Sequence, residues 1–533
     1  MTKFKKCLIV CLNVALLLGC VGIVLFVRRL SGEYEPGNQE KPAQAVVKED
    51  YDGGGQDDAA DGAGESGQKE EPCGEQDWER LEKERQAWLS EYRRWRLENQ
   101  KKRGSPDDFS QKQSEEPYEP PTLMLASDLH YISAAAHDDG EAFRRMVRGD
   151  DGKVSQYSDV IVDDLLREAE TLKPSALLLT GDLALNGERV NHEALAEKLR
   201  GLQEKGVQVL VIPGNHDINH PDAATYFGTE RKVAENLAGG EEFYEIYHEF
   251  GYDQALSRDE ASLSYVYALD EKHRLLLLDS CRYEDGYHVG GRIRPETIVW
   301  IREQLERARE EQIQVTVAAH HNLLQESRLY TADCTLENSR EITELLESYE
   351  IPLYISGHLH AQRIKRHKEE PGEAPGTYNI SEIVLSPYAL PPCQYGLLSW
   401  NESDDMEFVT RRVPVSEYAR ERGSEDAFLL EFDRRGPEFV KEIIREQVMK
   451  KIDSVPDDLK EKMARLYSEL YFDFCHGNRL RGDEVKSTKA YRLWERVAPD
   501  SRYVAEMRAM MADVSTELHD WGRLSGPGAD VPP

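Results

Sequence analysis

Residues 207–217 read VQVLVIPGNHD, an apolar, strand-like run that passes directly into a short polar motif. Gly214 permits a tight turn and a close approach of the backbone at the end of the run. Asn215, His216 and Asp217 then follow, and an amide, an imidazole and a carboxylate are groups that bind metal ions or move protons. This stretch therefore predicts a buried strand that delivers reactive side chains at its carboxyl end.

Four more motifs of the same kind occur along the chain, each directly after an apolar run. They are Asp128-Leu129-His130, Gly181-Asp182, His320-His321 and Gly357-His358-Leu359-His360. The runs before them are Leu123–Ala126, Ala176–Thr180, Val315–Ala319 and Leu353–Ser356. In an extended backbone, a two-residue step puts both side chains of D-x-H or H-x-H on one side. Each of these two pairs could therefore converge on one metal cluster.

Helical stretches separate these apolar runs. The predicted helices are Asp159–Leu172, His192–Lys205, Glu296–Glu311 and Asn338–Tyr349, and further strands are predicted at Arg274–Leu278, Glu382–Leu385, Gly396–Trp400 and Glu407–Arg411. Alternating strands and helices indicate an α/β layered fold, in which the motifs would emerge from one edge of a sheet. The sequence predicts this domain at 121–412, followed by a mostly helical C-terminal region at 413–533.

Each motif alone is weak evidence for function. An isolated D-x-H or H-x-H is more often a surface accident or a satisfied core histidine, and Gly-Asp is a common turn sequence. The joint occurrence of all five motifs, each after a strand, is what favours a metal site over these ordinary explanations.

In this order the motifs resemble those of the calcineurin-like metallophosphoesterase superfamily, over about residues 122–400. The resemblance implies a layered β-sandwich flanked by helices and the hydrolysis of phosphate esters. Leu185 stands where the family often has a second Asp, and Pro213 stands where its protein phosphatases carry Arg. These departures point away from protein phosphatases and toward phosphodiesterase-like members. Residues 127–131 and 214–218 also resemble a branch of the superfamily that is common in Gram-positive bacteria.

The resemblance also implies a ligand set for two metal ions, with Mn, Fe or Zn expected. One ion would be held by Asp128, His130, Asp182 and His360, and the other by Asp182, Asn215, His320 and His358. Asp182 would bridge the two ions. His320 is preferred over His321 because it ends the apolar strand.

The predicted chemistry is attack on phosphorus by a hydroxide that bridges the two ions. His216 would assist the leaving oxygen as a general acid or as a charged hydrogen-bond donor. Asp217 would orient His216 through its other ring nitrogen, or would instead only cap the following turn. Five further polar residues could line the substrate entrance or be ordinary loop surface: His220, Tyr226, His288, Arg292 and Arg294.

The composition limits the partners of the 533-residue chain. Its formal net charge of −33 argues against a broad electrostatic grip on nucleic acid or anionic lipid. Five cysteines outside the N-terminal apolar run (Cys73, Cys281, Cys334, Cys393, Cys475) are scattered, which argues against a disulfide framework or a zinc ribbon.

The N-terminal 30 residues contain an apolar run from Cys7 to Val27 between Lys and Arg residues. As a helix this run would span about 30 Å, the thickness of a bilayer core, and so predicts a single-pass membrane anchor with the main domain outside the cytoplasm. A lipoprotein signal ending at Cys20 and a cleaved signal peptide are alternatives. Residues 31–76 predict an acidic, unfolded tether, and 77–120 a helix and linker.

The sequence therefore predicts a membrane-anchored metallophosphoesterase acting on a small phosphodiester or phosphomonoester. The alternatives are a nuclease of the same fold, which the acidity disfavours, and a tethered interaction protein with an inactive phosphoesterase fold. An inactive fold would be expected to have lost at least one ligand, whereas all seven ligand positions are filled.

Overall fold

The structure is a computed structural model that describes residues 118–325, 327–367, 380–452, 455–514, 519 and 521–524. The predicted membrane anchor (1–30), the acidic tether (31–76) and the helix predicted from Asp77 lie outside these residues. In the part of the chain that the structure describes, no helix combines the length and the apolar character needed to cross a membrane.

The strands and helices of the described residues are as follows. The strands are β1 (Thr122–Ala126), β2 (Ala176–Thr180), β3 (Val209–Ile212), β4 (Ala224–Phe227), β5 (Glu230–Val233), β6 (Ser257–Arg258), β7 (Tyr265–Ala268), β8 (His273–Leu278), β9 (Gln314–Ala319), β10 (Leu353–Ser356), β11 (Arg363–Arg366), β12 (Ser381–Val384), β13 (Gln394–Trp400), β14 (Met406–Arg412) and β15 (Trp521–Leu524). The helices are α1 (Glu141–Gly149), α2 (Ser158–Leu172), α3 (Arg189–Gln203), α4 (Gly240–Tyr247), α5 (Pro295–Glu310), α6 (Ser339–Ser348), α7 (Val415–Glu421), α8 (Ala427–Leu430), α9 (Phe432–Lys451), α10 (Asp457–Cys475), α11 (Gly482–Ser487), α12 (Lys489–Val497) and α13 (Arg502–Asp513).

Two large sheets organise the domain. One has the strand order β15-β14-β13-β1-β2-β3, and the other has the order β11-β12-β10-β9-β8-β7-β6. In the first sheet β1, β2 and β3 run parallel, and in the second β8, β9, β10 and β12 do. The predicted α/β fold is confirmed, and β4 and β5 form a separate hairpin.

The two sheets share a core, as the alternation of side chains along β8 shows. Leu275 and Leu277 belong to the cluster that also contains the buried leucines and valines of β1, β2 and β3. Leu276 and Leu278 point the other way, into the cluster formed with α5 and α6. Because successive side chains of a strand face opposite sides, one sheet can pack against the other sheet and against helices at once.

The C-terminal region is helical from α7 to α13, as predicted, and then returns to the first sheet as β15. Its helices α9, α10, α12 and α13 have a core of their own, which also contains Leu359 and Ala361 from the loop after β10. The helical region is thus packed directly on a loop that carries predicted ligands. The domain boundaries at 120/121 and 412/413 stay predictions.

Candidate metal centre

The predicted ligands lie on loops at the carboxyl ends of parallel strands in both sheets. Asp128 and Asp182 follow β1 and β2, and Asn215 follows β3. From the other sheet, His320 follows β9, and the H-x-H pair follows β10. Parallel strands present their following loops at the same edge, and the sandwich then brings the edges of the two sheets together.

The backbone is left-handed at five of these residues. The φ angles are 53° at Asp128, 39° at His130, 50° at Asp182, 64° at His358 and 55° at His360. The extended backbone expected for D-x-H and H-x-H is therefore wrong, because both residues of each pair turn sharply. Asp and His tolerate this conformation better than most residues, at a cost of about 1–3 kcal/mol each that the surrounding fold must offset.

The three glycines of the motifs are needed for two different reasons. Gly181 has a φ of 93°, and a Cβ there would lie 2.6 Å from Nδ1 of His320. A Cβ on Gly214 would overlap the backbone nitrogen and carboxylate of Asp182, and one on Gly357 would overlap the Ser127 hydroxyl. Gly214 and Gly357 are thus required by close approach and not by a left-handed φ.

The first cluster, which we name the His360 group, consists of Asp128, His130, Asp182 and His360. All four offer a possible metal-binding atom within 4.8 Å of the others. The two imidazole Nε2 atoms lie 3.1 Å apart, and Nε2 of His360 lies 3.4 Å from Oδ1 of Asp128. Nε2 of His130 lies 3.7 Å from Oδ2 of Asp182. Two nitrogens and two carboxylates that face one another in this way are a donor set suited to a divalent cation.

The second cluster, the His320 group, consists of Asp182, Asn215, His320 and His358. Asp182, His320 and His358 again offer ligand atoms within 4.8 Å of one another. Nδ1 of His320 donates to the Thr180 carbonyl at 2.8 Å, so that Nε2 faces Oδ1 of Asn215 at 3.1 Å and Oδ1 of Asp182 at 3.4 Å. An imidazole nitrogen, a carboxylate and an amide oxygen that face one another in this way are a donor set suited to a divalent cation.

The carboxylates favour positive charge at one histidine of each group, whereas burial lowers the pKa of the other two, His130 and His358. Burial by itself would lower the pKa of His320, but the carboxylate of Asp182 overcomes it and raises the pKa to about 9. For His360, burial is likewise outweighed by hydrogen bonds to Asp128 and Asp151, and the pKa rises to about 9. The carboxylates therefore create a negative electrostatic potential at the ring nitrogens of His320 and His360, which favours the binding of a cation.

His321 is not placed as a ligand. Its Nδ1 lies 2.8 Å from the Ser280 hydroxyl, and its Nε2 donates to the Val289 carbonyl at 2.9 Å. Both ring nitrogens are thus engaged away from the cluster, whereas Nε2 of His320 points into it.

His216 is held by neutral groups. Its Nδ1 lies 3.0 Å from the Leu185 carbonyl and 2.9 Å from Oδ1 of Asn186, and its ring stacks on His220 at 4.5 Å. Its ring centroid lies 4.8 Å from that of His130, which puts it beside the His360 group. Burial lowers the pKa of His216. With Nδ1 donating to these acceptors, Nε2 is the nitrogen that can act on a substrate.

The orienting role expected for Asp217 is corrected by its hydrogen bonds. Its Oδ1 accepts from the backbone nitrogens of Leu183 and Ala184 at 2.8 and 2.9 Å, and its Oδ2 accepts from that of Gly214 at 2.7 Å. The carboxylate thus ties the loop after β2 to the loop after β3. The Nδ1 partners of His216 are instead the Leu185 carbonyl and Oδ1 of Asn186, and Leu185 is the position where the family often has Asp.

The structure adds a contact that the sequence did not reveal. Oδ2 of Asp151 lies 2.9 Å from Nδ1 of His360, and Oδ1 of Asp151 accepts from Nζ of Lys153 at 2.8 Å. Burial would raise the pKa of Asp151, but Lys153 and His360 hold it well below its usual range. The local sequence Asp150-Asp151-Gly152-Lys153 has the composition of an exposed turn and gives no hint of this partner.

Of the five residues expected near the substrate entrance, His220 lies against His216. Tyr226 is buried in the β4–β5 hairpin, and Arg294 pairs with Asp279 and Glu284. His288 and Arg292 form surface pairs with neighbouring acids.

The fold and the donor set define a layered α/β protein with a candidate centre for two metal ions. The family model "Calcineurin-like phosphoesterase" matches residues 121–362. The region 121–362 therefore belongs to the calcineurin-like metallophosphoesterase superfamily. A second family model, "C-terminal domain of cyclic nucleotide phosphodiesterase", matches residues 414–517.

Solved structures of phosphatases are similar to the chain at low identity. A dimetal phosphatase from Danio rerio is 15% identical, with a TM-score of 0.37, over 55% of this chain and 97% of the other. A purple acid phosphatase from yellow lupin (Lupinus luteus) is 13% identical, with a TM-score of 0.37, over 56% of this chain and 52% of the other. No curated protein matches the chain.

Proposed function

We propose that the protein is a metal-dependent phosphodiesterase with two ions at the edge of the sandwich. The observation that carries this proposal is the position of Asp182, whose carboxylate belongs to both the His360 group and the His320 group. One oxygen lies 3.7 Å from His130 and the other 3.4 Å from His320. A carboxylate shared in this way is suited to bridge two cations.

The donor set determines which ions the site would take. Imidazole nitrogens, carboxylates and one amide oxygen suit Mn, Fe or Zn, whereas thiolates are absent from both clusters. When bound, the pair would neutralise phosphoryl oxygens and make a water molecule more acidic.

The residues of the chain supply the remaining parts of the reaction. His216 can hold a proton at Nε2 and deliver it to the leaving oxygen, because Leu185 and Asn186 fix the ring through Nδ1. Burial lowers the pKa of His216, and the carboxylate of Asp182 and the hydrogen bond to the Leu185 carbonyl oppose this only in part. A weakly basic imidazole is a stronger acid once protonated, which favours proton transfer to a poor leaving group.

A diester substrate is supported by the C-terminal family match. The description of that match names a cyclic nucleotide phosphodiesterase. We therefore propose cyclic nucleotides as the substrate class to test first. The departures at Leu185 and Pro213 from the protein-phosphatase pattern support the same choice.

The location of the activity is proposed from the N-terminal sequence. A single-pass anchor within residues 1–30 would hold the catalytic domain at the membrane, outside the cytoplasm. Protease protection of the full chain in cells, with and without permeabilisation, tests this orientation.

The central experiment uses the full chain, stripped of metals and reloaded with Mn, Fe or Zn. Turnover is measured with bis-p-nitrophenyl phosphate, p-nitrophenyl phosphate and 3′,5′-cyclic nucleotides, beside an Asp182→Asn variant. We expect metal-dependent turnover with the diesters ahead of the monoester, and a loss of about 10³-fold or more in the variant, because a bridging carboxylate serves both ions.

The opposite result is equally clear. A folded wild-type protein that binds no ions would contradict the proposal and favour the interaction protein with an inactive fold. Faster turnover of the monoester than of any diester would contradict the phosphodiesterase assignment alone.

A further inference from the structure

The contact between Asp151 and His360 connects two distant parts of the chain. His360 follows β10 in the second sheet, whereas Asp151 lies on the loop after α1, 209 residues earlier. Their 2.9 Å contact engages Nδ1, which leaves Nε2 of His360 facing the His360 group. A carboxylate on the far ring nitrogen fixes the tautomer and orientation of a metal-binding histidine and increases its basicity.

The Asp151 side of this contact is held by the C-terminal helices. Oδ1 of Asp151 binds Lys153, which also binds Asp150 at 3.0 Å. Nε2 of Gln447, on α9, donates to the Asp150 carbonyl at 2.7 Å. At the next residue, a Cβ on Gly152 would lie only 3.0 Å from the Val440 side chain of α9, so helix and loop are in close contact.

The His360 side is held by the end of α10. The backbone nitrogen of Gln362, two residues after His360, donates to the Cys475 carbonyl at 2.9 Å. The guanidinium of Arg363 donates to the Phe474 carbonyl at 3.1 Å. Both partners of the Asp151–His360 contact are therefore fastened to the C-terminal helices.

Among the contacts described, the His320 group has no carboxylate partner of this kind, although the loop that carries Asp333 also packs on the C-terminal helices through Leu329, Tyr330 and Cys334. Nδ1 of His320 donates to the Thr180 carbonyl at 2.8 Å, and Nε2 of His358 donates to the Asp333 carbonyl at 2.9 Å. The acceptors are backbone atoms of the catalytic domain. Support from the C-terminal helices thus reaches one half of the centre more directly than the other.

We propose that Asp151 is a positioning residue for the metal ligand His360 and that the C-terminal helices, by holding both partners, set the metal affinity of the His360 group. This inference rests on the proposed two-metal site, but it concerns the support of one ion and not the substrate. It gives the C-terminal region a role in the metal centre.

The experiment measures metal binding rather than turnover. The metal-stripped full chain is titrated with Zn²⁺ against a competing chelator, and bound zinc is counted after desalting. We expect two ions on the wild-type protein. Asp151→Asn should weaken one of the two by about 10–100-fold and leave the other unchanged. The matched control is Asp164→Asn, since Asp164 is also a buried aspartate with a basic partner, Arg422, away from the site.

A second pair of variants tests the helices. Gln447→Met removes the hydrogen bond to the Asp150 carbonyl while keeping the length of the side chain. It should weaken the same ion by about 3–10-fold, the size expected for one neutral hydrogen bond. Glu446→Gln, at the exposed neighbouring position on α9, is the control and should leave both affinities unchanged.

The outcomes separate this inference from the proposed function. Circular dichroism and the melting temperature show whether each variant is folded, and loss of one ion from a folded Asp151→Asn protein is a result that general destabilisation does not produce. Two wild-type affinities in folded Asp151→Asn would overturn the role of Asp151. Two wild-type affinities in Gln447→Met would overturn the role of the helices. A folded wild-type protein that binds no zinc would overturn both the inference and the proposed function.

Discussion

The two halves of the candidate centre share Asp182 and similar ligand types but are supported differently. In the His360 group, the far nitrogen of His360 meets a buried carboxylate that is itself paired with Lys153. In the His320 group, the far nitrogens of His320 and His358 meet backbone carbonyls. A backbone carbonyl remains an acceptor after any substitution that keeps the fold. The carboxylate of Asp151, in contrast, is lost in a single substitution. The same chemistry can therefore be robust on one side of a centre and vulnerable on the other.

The largest expected effects on metal binding and activity come from substitutions at the two close-packed glycines, Gly214 and Gly357. Gly214→Ala would force its new Cβ against the backbone nitrogen of Asp182, which both groups share, so both ions and about 10³-fold of the activity should be lost. Gly357→Ala meets side chains, the Ser127 hydroxyl and, at 2.7 Å, Oδ2 of Asp128. It should mainly weaken the His360 group, by about 10–100-fold.

Zinc stoichiometry and diester turnover measure this contrast. In the double variant Ser127→Ala, Gly357→Ala, the hydroxyl that the new Cβ meets is removed. This double variant should bind zinc more tightly than Gly357→Ala alone. If both single variants lose the two ions equally, the halves are not independently supported.

A smaller loss of activity is expected from substitution of His216, which we expect to transfer a proton without binding either ion. His216→Asn should reduce kcat by about 10²–10⁴-fold while both ions stay bound, because proton delivery is lost and metal binding is not. The loss should be greater for a diester with an alkyl leaving group than for bis-p-nitrophenyl phosphate, since p-nitrophenolate leaves without protonation. Loss of an ion in this variant would show instead that His216 supports the centre.

The smallest expected effect is a loss of stability at acidic pH. It involves His192, which lies behind the loop that carries Asn215. Its Nε2 lies 3.0 Å from the Asp217 carbonyl, and burial lowers its pKa to about 3. The unfolded chain takes up a proton on this residue below about pH 6.5 and the folded protein does not. The free energy of unfolding should therefore fall as the pH drops from about 6.5 toward 3, by about 1 kcal/mol for this residue at pH 5.5.

Urea unfolding at pH 7.5 and 5.5, in wild type and His192→Gln, measures this difference. The variant should lose less stability between the two pH values. An unchanged difference would mean that His192 takes up its proton in the folded state too.

The hydrophobic runs predicted the strands that carry the centre with little error. The predicted runs at 176–180 and 353–356 coincide with β2 and β10, and the run at 123–126 misses one residue of β1. These strands are buried, so their sequences are continuously apolar and easily recognised. The short strands β5, β6 and β11 escaped prediction because they are polar and lie at edges or in a hairpin, where little apolar surface is buried.

The sequence placed the seven predicted ligands together but not their partners. Asp151 acts through a contact with a residue 209 positions away, which no local pattern encodes. The acceptors for His216, His320 and His358 include backbone carbonyls, which every residue type possesses. Asp217 was misassigned for the same reason, since its neighbour in sequence, His216, is not its neighbour in hydrogen bonding.

The left-handed backbone at five ligand positions also restricts how this centre can be altered. A substitution to Cys or Glu, chosen to change the preferred metal, would carry a conformational cost before any coordination chemistry begins. Gly, Asn and Asp are the replacements that the backbone accepts most readily. Few residue types should therefore be compatible with the fold at these five positions. An engineered change of metal would start more easily from His320, which is not among the left-handed residues.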